Sequence, residues 1–110
     1  MSHADWVQAD GLRGWSFYTL IAAAVDRSPL HIAAQIEDLW PDLADRFEYD
    51  VQQAPMVNGM AGWRAVLMAA FYRADSTNQS LLHTVDPGLC IEAAQRWGAP
   101  GGRLPGDGAA

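Results

Sequence analysis

The 110-residue chain contains no lysine, and all seven of its basic residues are arginines. A phosphate-binding loop of the G-x-x-x-x-G-K-[ST] type requires a lysine, and the chain contains no G-x-G-x-x-G run. The phosphoryl-transfer enzymes that use such a loop are therefore excluded. An arginine-only set of bases is typical of a GC-rich genome. Arginine is also enriched, and lysine depleted, at protein interfaces.

Cysteine and long apolar runs are also scarce. The single cysteine, Cys90, cannot form an internal disulfide and belongs to no C-x-x-C pair, which indicates a reducing compartment and no structural zinc site. The longest apolar runs, at 20–25 and 65–70, are much shorter than the roughly 20 residues that span a bilayer. The first residues carry an acid and no positive cluster, unlike a secretory signal. We therefore expect a cytoplasmic protein that does not enter a membrane.

The charge balance is strongly acidic, with 13 acids against 7 bases and a net charge of −6. Direct binding to nucleic acid is not expected, because cations supply most of that affinity. An acidic surface instead suits a basic protein surface, or mimics a nucleic acid. The composition, 50% hydrophobic and 18% charged, is typical of a folded chain. We expect one helical domain at 1–97 and a flexible tail, rich in glycine and proline, at 98–110.

Proline and glycine divide the chain into helical segments, and no strand pattern competes with them. A capping residue followed by proline marks two helix starts, at Ser28-Pro29 and Asp86-Pro87. The sequence predicts an all-α protein, a small bundle of four to five helices. The predicted segments are a possible single turn at 5–10 and helices at 16–27, 29–39, 41–54, 59–74 and 87–97, with a polar loop at 76–80.

Candidate catalytic and metal-binding groups are few. Nucleophilic catalysis requires a thiol or hydroxyl beside a base, and one such set is Cys90 with His83 and Asp86. No G-x-S-x-G turn accompanies it, so we interpret Cys90 as a buried thiol. His3, His31 and His83 fall in separate segments, whereas a metal site needs ligands at local spacings. We therefore predict a protein that is not an enzyme and has no cofactor and no metal.

Acidic residues are concentrated in one part of the chain. Six of them fall within fourteen residues, accompanied only by Arg46 as a base. The spacing does not match a calcium loop, and the segment is predicted to be helix. Two interpretations stay open, a solvated helix face and an acidic docking surface for a basic partner. The six acids are Glu37, Asp38, Asp42, Asp45, Glu48 and Asp50.

Large apolar side chains are in excess, with five tryptophans, three tyrosines, three phenylalanines and four methionines. A domain of this size buries roughly 60 to 65% of its surface, so some of these groups are expected to be exposed. Aromatic, methionine and arginine side chains are enriched at interface centres. They either fill the core or form a protein-binding face on the helix at 59–74, which a homodimer would cover. The residues of that predicted face are Met60, Trp63, Arg64, Met68, Phe71 and Tyr72.

In size, acidity and helical character the whole chain resembles the QslA-type antiactivators, small proteins that bind a LuxR-type quorum-sensing receptor and block its dimerisation. Trp63, Met68, Phe71 and Tyr72 form the docking face expected for such a role. The resemblance implies that the partner is a transcriptional regulator, whose dimer-forming surface this protein would occupy.

Two other classes of function stay open beside an antiactivator. The first is an acidic phage-type antidefence protein or nucleic-acid mimic, whose carboxylates would occupy a basic groove. The second is an enzyme subunit or assembly factor without chemistry of its own. Binding by a mimic should weaken steeply with salt, whereas hydrophobic docking should not.

Overall fold

The computed structural model describes residues 2–107, and within that range every regular element is helical. The prediction of an all-α protein is confirmed, but a count of four to five helices is too low, because residues 2–107 form nine α-helices. No helix in this range is both long and apolar enough to cross a bilayer. The helices are α1 His3–Gly11, α2 Phe17–Arg27, α3 Leu30–Leu39, α4 Leu43–Arg46, α5 Glu48–Gln52, α6 Ala54–Asn58, α7 Trp63–Arg73, α8 Ser76–Val85 and α9 Pro87–Trp97.

Helices α2 and α7 form the centre of the fold. Both contain runs of apolar residues with several buried alanines, and the two helices pack against each other. Helices α1 and α9 pack on α7, while α3, α5 and α6 pack on α2. Helix α8 lies against α3 and α9, which completes the cover of the core.

Two helices follow their local sequence signals closely. Helix α2 begins after Ser16, whose hydroxyl accepts a hydrogen bond from the Thr19 N–H at 3.1 Å. Helix α9 begins at Pro87 after Asp86, whose carboxylate accepts from the Leu89 N–H at 3.1 Å. Side-chain caps of this kind satisfy backbone donors that have no partner within the helix. The Asp86-Pro87 start is confirmed, and α2 begins within one residue of its predicted start. The predicted cap by Ser28 is wrong, because α3 begins at Leu30 with no side-chain cap and the Ser28 hydroxyl has no hydrogen-bond partner among the described residues.

The segment at 41–54, predicted as one helix, is broken into short pieces. Phe47 has φ −131° and ψ 44°, which ends α4 before α5 begins. Its ring stacks on Tyr18 with 3.5 Å between the ring centroids. The Asp50 carboxylate accepts a hydrogen bond from the Ser16 hydroxyl at 3.0 Å, and the Asp50 carbonyl accepts from the Thr19 hydroxyl at 2.9 Å. These contacts make the chain wrap around α2, which one straight helix could not do.

Three further boundaries differ from the predictions. The predicted helix at 59–74 begins only at Trp63, because residues 59–62 form a turn and connection between α7 and the separate helix α6. The polar run at 76–80, predicted as a loop, opens α8, which is capped by Asp75. The predicted single turn at 5–10 is a longer helix, because Ser2 and Asp5 cap each other's backbone N–H groups.

The residues after α9 turn back onto the domain. The Arg96 guanidinium, almost fully buried, donates to both carboxylate oxygens of Asp107 at 2.6 and 2.7 Å. Gly102 has a φ of 67° and lies against the Trp6 ring, where a Cβ would overlap it. Residues 98–107, part of the predicted flexible tail, therefore contact α1 and α9. The rest of that prediction, 108–110, lies outside the described residues.

We predict that replacing Asp107 with asparagine reduces the acid sensitivity of folding. The Arg96 guanidinium and the Leu104 N–H hold the pKa of Asp107 well below its ordinary value of 3.8. A carboxyl group whose pKa is lower in the folded than in the unfolded state stabilises the protein at pH values above the unfolded pKa. This stabilisation is lost as the pH falls from the unfolded pKa through the folded pKa. Denaturant unfolding measured as the pH is lowered below 3.8 should therefore show a shallower loss of stability for Asp107→Asn than for the wild type.

Asp45→Asn provides the control, because Asp45 is exposed and lies outside the ion pairs found within residues 2–107. An identical pH dependence for the wild type and Asp107→Asn would show that the pairing with Arg96 does not stabilise the fold.

Candidate functional site

The inner half of the predicted binding face on α7 lies in the core. Met68 is fully buried and Phe71 is only 6% exposed, so neither offers surface to a partner in this structure. Tyr72 is half-buried, and its hydroxyl donates to the Ala93 carbonyl at 2.6 Å. Burial raises the pKa of Tyr72 to about 12. These three side chains pack the interior, which was the alternative interpretation of the apolar surplus.

The outer half of the predicted face lies at the surface. Met60 and Arg64 are exposed, and Trp63 is half-buried. The Arg64 guanidinium lies 5.2 Å from the centre of the Trp63 ring. Met56, at 58% exposed, lies one helical turn before Met60 in the sequence. The surface part of the predicted face is therefore a small patch at the junction of α6 and α7.

The candidate nucleophile is poorly placed for chemistry. Cys90 is buried, and desolvation, with a smaller contribution from the Asp86 charge, raises its pKa to about 12. A nucleophilic cysteine requires a lowered pKa, because the thiolate is the reactive form. His83 is exposed and meets the edge of the Phe71 ring at 5.7 Å between centroids. Within residues 2–107, no three His, Cys, Asp or Glu side chains are grouped to hold a metal ion.

A groove of about 460 Å³ lies where the C-terminal ends of α2 and α3 meet the short helices α4 and α5. Its lining combines apolar side chains with three exposed carboxylates. We call it the acidic groove. It is lined by Ala22, Val25, Asp26, Glu37, Asp38, Trp40, Pro41, Leu43, Ala44 and Val51.

The three carboxylates of the acidic groove occupy unfavourable positions in their helices. Asp26 lies in the last turn of α2, and Glu37 and Asp38 lie in the last turn of α3. A helix C-terminus carries a partial negative charge, so an anion there is repelled. None of the three belongs to an ion pair formed within residues 2–107. The groove therefore combines three unneutralised carboxylates with the negative ends of two helices.

The charge of the whole chain is concentrated around this groove. Positions 26–50 hold seven carboxylates and two arginines, which is five of the six net negative charges. The Arg27 guanidinium donates to the Asn58 carbonyl at 2.7 Å. The Arg46 guanidinium lies 5.4 Å from the centre of the Phe47 ring. Neither arginine forms an ion pair with a groove carboxylate in the described structure.

Trp40 supplies the aromatic wall of the groove. Its indole N–H donates to the Asn78 side-chain oxygen at 3.3 Å. Its ring meets Phe17 edge to face, with 5.7 Å between the centroids. These contacts fix a half-buried ring in the groove beside Pro41, which ends the helical course of α3.

The acidic segment seen in the sequence divides into three structural roles. Glu37 and Asp38 line the groove, whereas Asp50 is bound by the Ser16 hydroxyl. The remaining acids are exposed outside the groove; they are Asp42, Asp45 and Glu48. The sequence interpretation missed Asp26, because it lies on a different helix, and it did not connect Trp40 with the acidic pair that precedes it. An acidic pair followed by Trp-Pro at a helix end was the one local signal.

Comparison of the chain with protein-family models, with curated proteins and with solved structures finds no match.

We predict that neutralising the α3 carboxylates stabilises the free protein. Glu37→Gln and Asp38→Asn each remove an anion from a helix C-terminus, where charge interactions of this kind amount to about 0.3–1 kcal/mol. The free energy of unfolding, measured in urea, should rise by that amount for each variant. The control is Asp45→Asn, which removes one exposed carboxylate that lies outside the groove and outside α3. A loss of stability in both α3 variants would contradict the unfavourable placement.

Proposed function

We propose that this protein is a small, non-catalytic, protein-binding regulator of the cytoplasm that captures a partner protein through the acidic groove. The observation that carries the proposal is the combination of apolar lining and unneutralised carboxylates in one groove. Protein interfaces commonly surround an apolar centre with polar and charged groups, and complementary charge directs the encounter. The proposed role requires no cofactor and no metal.

For the particular partner, we propose the QslA-type role of an antiactivator that blocks the dimerisation of a LuxR-type transcriptional regulator. A DNA-binding regulator carries a basic surface, because it must neutralise phosphates. That basic surface is complementary to the charge at positions 26–50, and the apolar lining of the groove suits the dimer-forming surface of the regulator. Binding to the monomer would withdraw it from the dimerisation equilibrium by mass action, and the active dimer would decrease.

A pair of triple variants tests whether the groove is the binding site. The groove variant combines Asp26→Asn, Glu37→Gln and Asp38→Asn, and the matched variant combines Asp42→Asn, Asp45→Asn and Glu48→Gln. Both remove three charges from the same half of the protein, but only the first changes the groove. We predict that the groove variant loses capture of the partner from the native cell and that the matched variant retains most of it.

Capture is measured by affinity purification and mass spectrometry. The effect on a LuxR-type regulator is measured as the fraction of that regulator that dimerises in the presence of each variant. Full capture by the groove variant would contradict the proposed site. Captured regulators that dimerise normally would contradict the antiactivator role while leaving partner binding intact.

A second candidate function is nucleic-acid mimicry, supported by the exposed carboxylates outside the groove. Asp42, Asp45 and Glu48 extend the negative surface beyond the apolar lining. A mimic would use all of these charges. The two triple variants would then weaken capture equally, and capture by the wild type would fall steeply with added salt.

Self-association is a separate proposal, based on the exposed patch at the junction of α6 and α7. We predict that the protein forms a homodimer through Met56, Met60 and Trp63, because a second copy would cover these apolar groups. Met56→Asp with Met60→Asp should shift the sedimentation coefficient from dimer to monomer. Tyr49→Asp, which changes another exposed apolar residue, is the control. A wild type that sediments as a monomer at high concentration would contradict the dimer.

A further inference from the structure

We propose that the acidic groove is a receptor for arginine, and that it binds a partner segment in which an arginine lies next to an apolar side chain. This inference rests on the proposed function, because it specifies what the partner inserts into the groove. The juxtaposition that carries it is the Trp40 ring in the same groove as the acidic ends of α2 and α3.

A cation is the group whose charge the groove complements. Asp26, Glu37 and Asp38 approach from two helices, and the ends of these helices add partial negative charge. A positive side chain placed among them would remove the repulsion that the free protein carries. It would also form charge-assisted hydrogen bonds, which are stronger than those between neutral groups.

Arginine fits this lining better than lysine does. A guanidinium is planar and binds carboxylates in pairs of parallel hydrogen bonds, whereas an ammonium is a point charge. It also stacks on aromatic faces, and tryptophan is the strongest aromatic partner for a cation. Trp40, held by Asn78 and Phe17, offers such a ring beside the carboxylates. The apolar lining suits the methylene stem of the arginine.

The groove extends beyond its acidic part. It has a volume of about 460 Å³ and is open to solvent, and its lining continues past the carboxylates and Trp40. The remaining lining is apolar, from Val25, Leu43 and Val51. A neighbouring leucine or similar side chain of the same segment would fill it. The occupant is therefore a segment of a protein rather than a free cation.

The test uses three capped pentapeptides. The first is Leu-Arg-Ala-Leu-Arg, the second has lysine in place of each arginine, and the third has citrulline in place of each arginine. Citrulline keeps the shape of the arginine side chain but lacks its charge. Binding is followed by NMR at the indole N–H of Trp40. We expect the arginine peptide to shift this signal and the lysine peptide to bind about tenfold more weakly, a difference of about 1.4 kcal/mol. The citrulline peptide should leave the signal unchanged.

A groove-filling variant tests the location without changing any charge. Ala44 is exposed and lines the groove, so Ala44→Trp should fill it and abolish binding of the arginine peptide. Ala34 is an exposed alanine on α3 outside the groove, and Ala34→Trp should bind like the wild type. Circular dichroism and thermal unfolding show whether each variant is folded, and a groove variant that unfolds is replaced by Ala44→Leu.

Other outcomes overturn the inference in distinguishable ways. Equal binding of the arginine and lysine peptides, or no change in the Trp40 signal, would contradict an arginine receptor. The two triple variants would still decide whether the groove captures a partner. Peptide binding retained in a folded Ala44→Trp would place the site elsewhere. Loss of self-association in Ala44→Trp would identify a second copy as the occupant, contradicting a foreign partner.

Discussion

The packing of α2 against α7 is the contact on which the rest of the structure depends. The two helices contact each other, and both carry fully buried alanines, among them Ala23 and Ala24 on α2 and Ala69 on α7. Each of these helices has only eleven residues, so the pair cannot bury its apolar surface alone. The other helices must wrap around it. The acidic groove lies where α3 ends and the short helices α4 and α5 continue this wrapping.

Helices with their signals in adjacent residues were predictable, and those shaped by distant contacts were not. Ser16 and Asp86 are local caps, so α2 and α9 begin where expected. The break at Phe47 has no local cause, because the ring stacks on Tyr18, which belongs to α2. Helix α8 shows a third case, in which the Asp75 cap was present but the polar composition after it indicated a loop. Local propensity decides a segment only where tertiary packing does not override it.

The candidate site was predictable only in part, for the same reason. Glu37 and Asp38 are conspicuous in the sequence as acids, but nothing local joins them to Asp26 on α2. The sequence left two interpretations of the apolar surplus on α7 open, a filled core and a binding face, and a helix that is apolar on more than one side can lie at the centre of a bundle. Met68 is buried for that reason. Sequence composition thus indicated a surplus of apolar side chains more readily than it indicated which of them are buried.

The placement of acids along this chain is the reason why the groove is a candidate site. Asp5, Asp75 and Asp86 lie at helix beginnings, where they accept hydrogen bonds from backbone N–H groups. At the end of α1, where an acid is unfavourable, Asp10 is paired with Arg13 at 3.2 Å. The groove carboxylates break this pattern, since they lie at helix ends without an ion pair in the described residues. Proteins depart from such local rules mainly at functional sites.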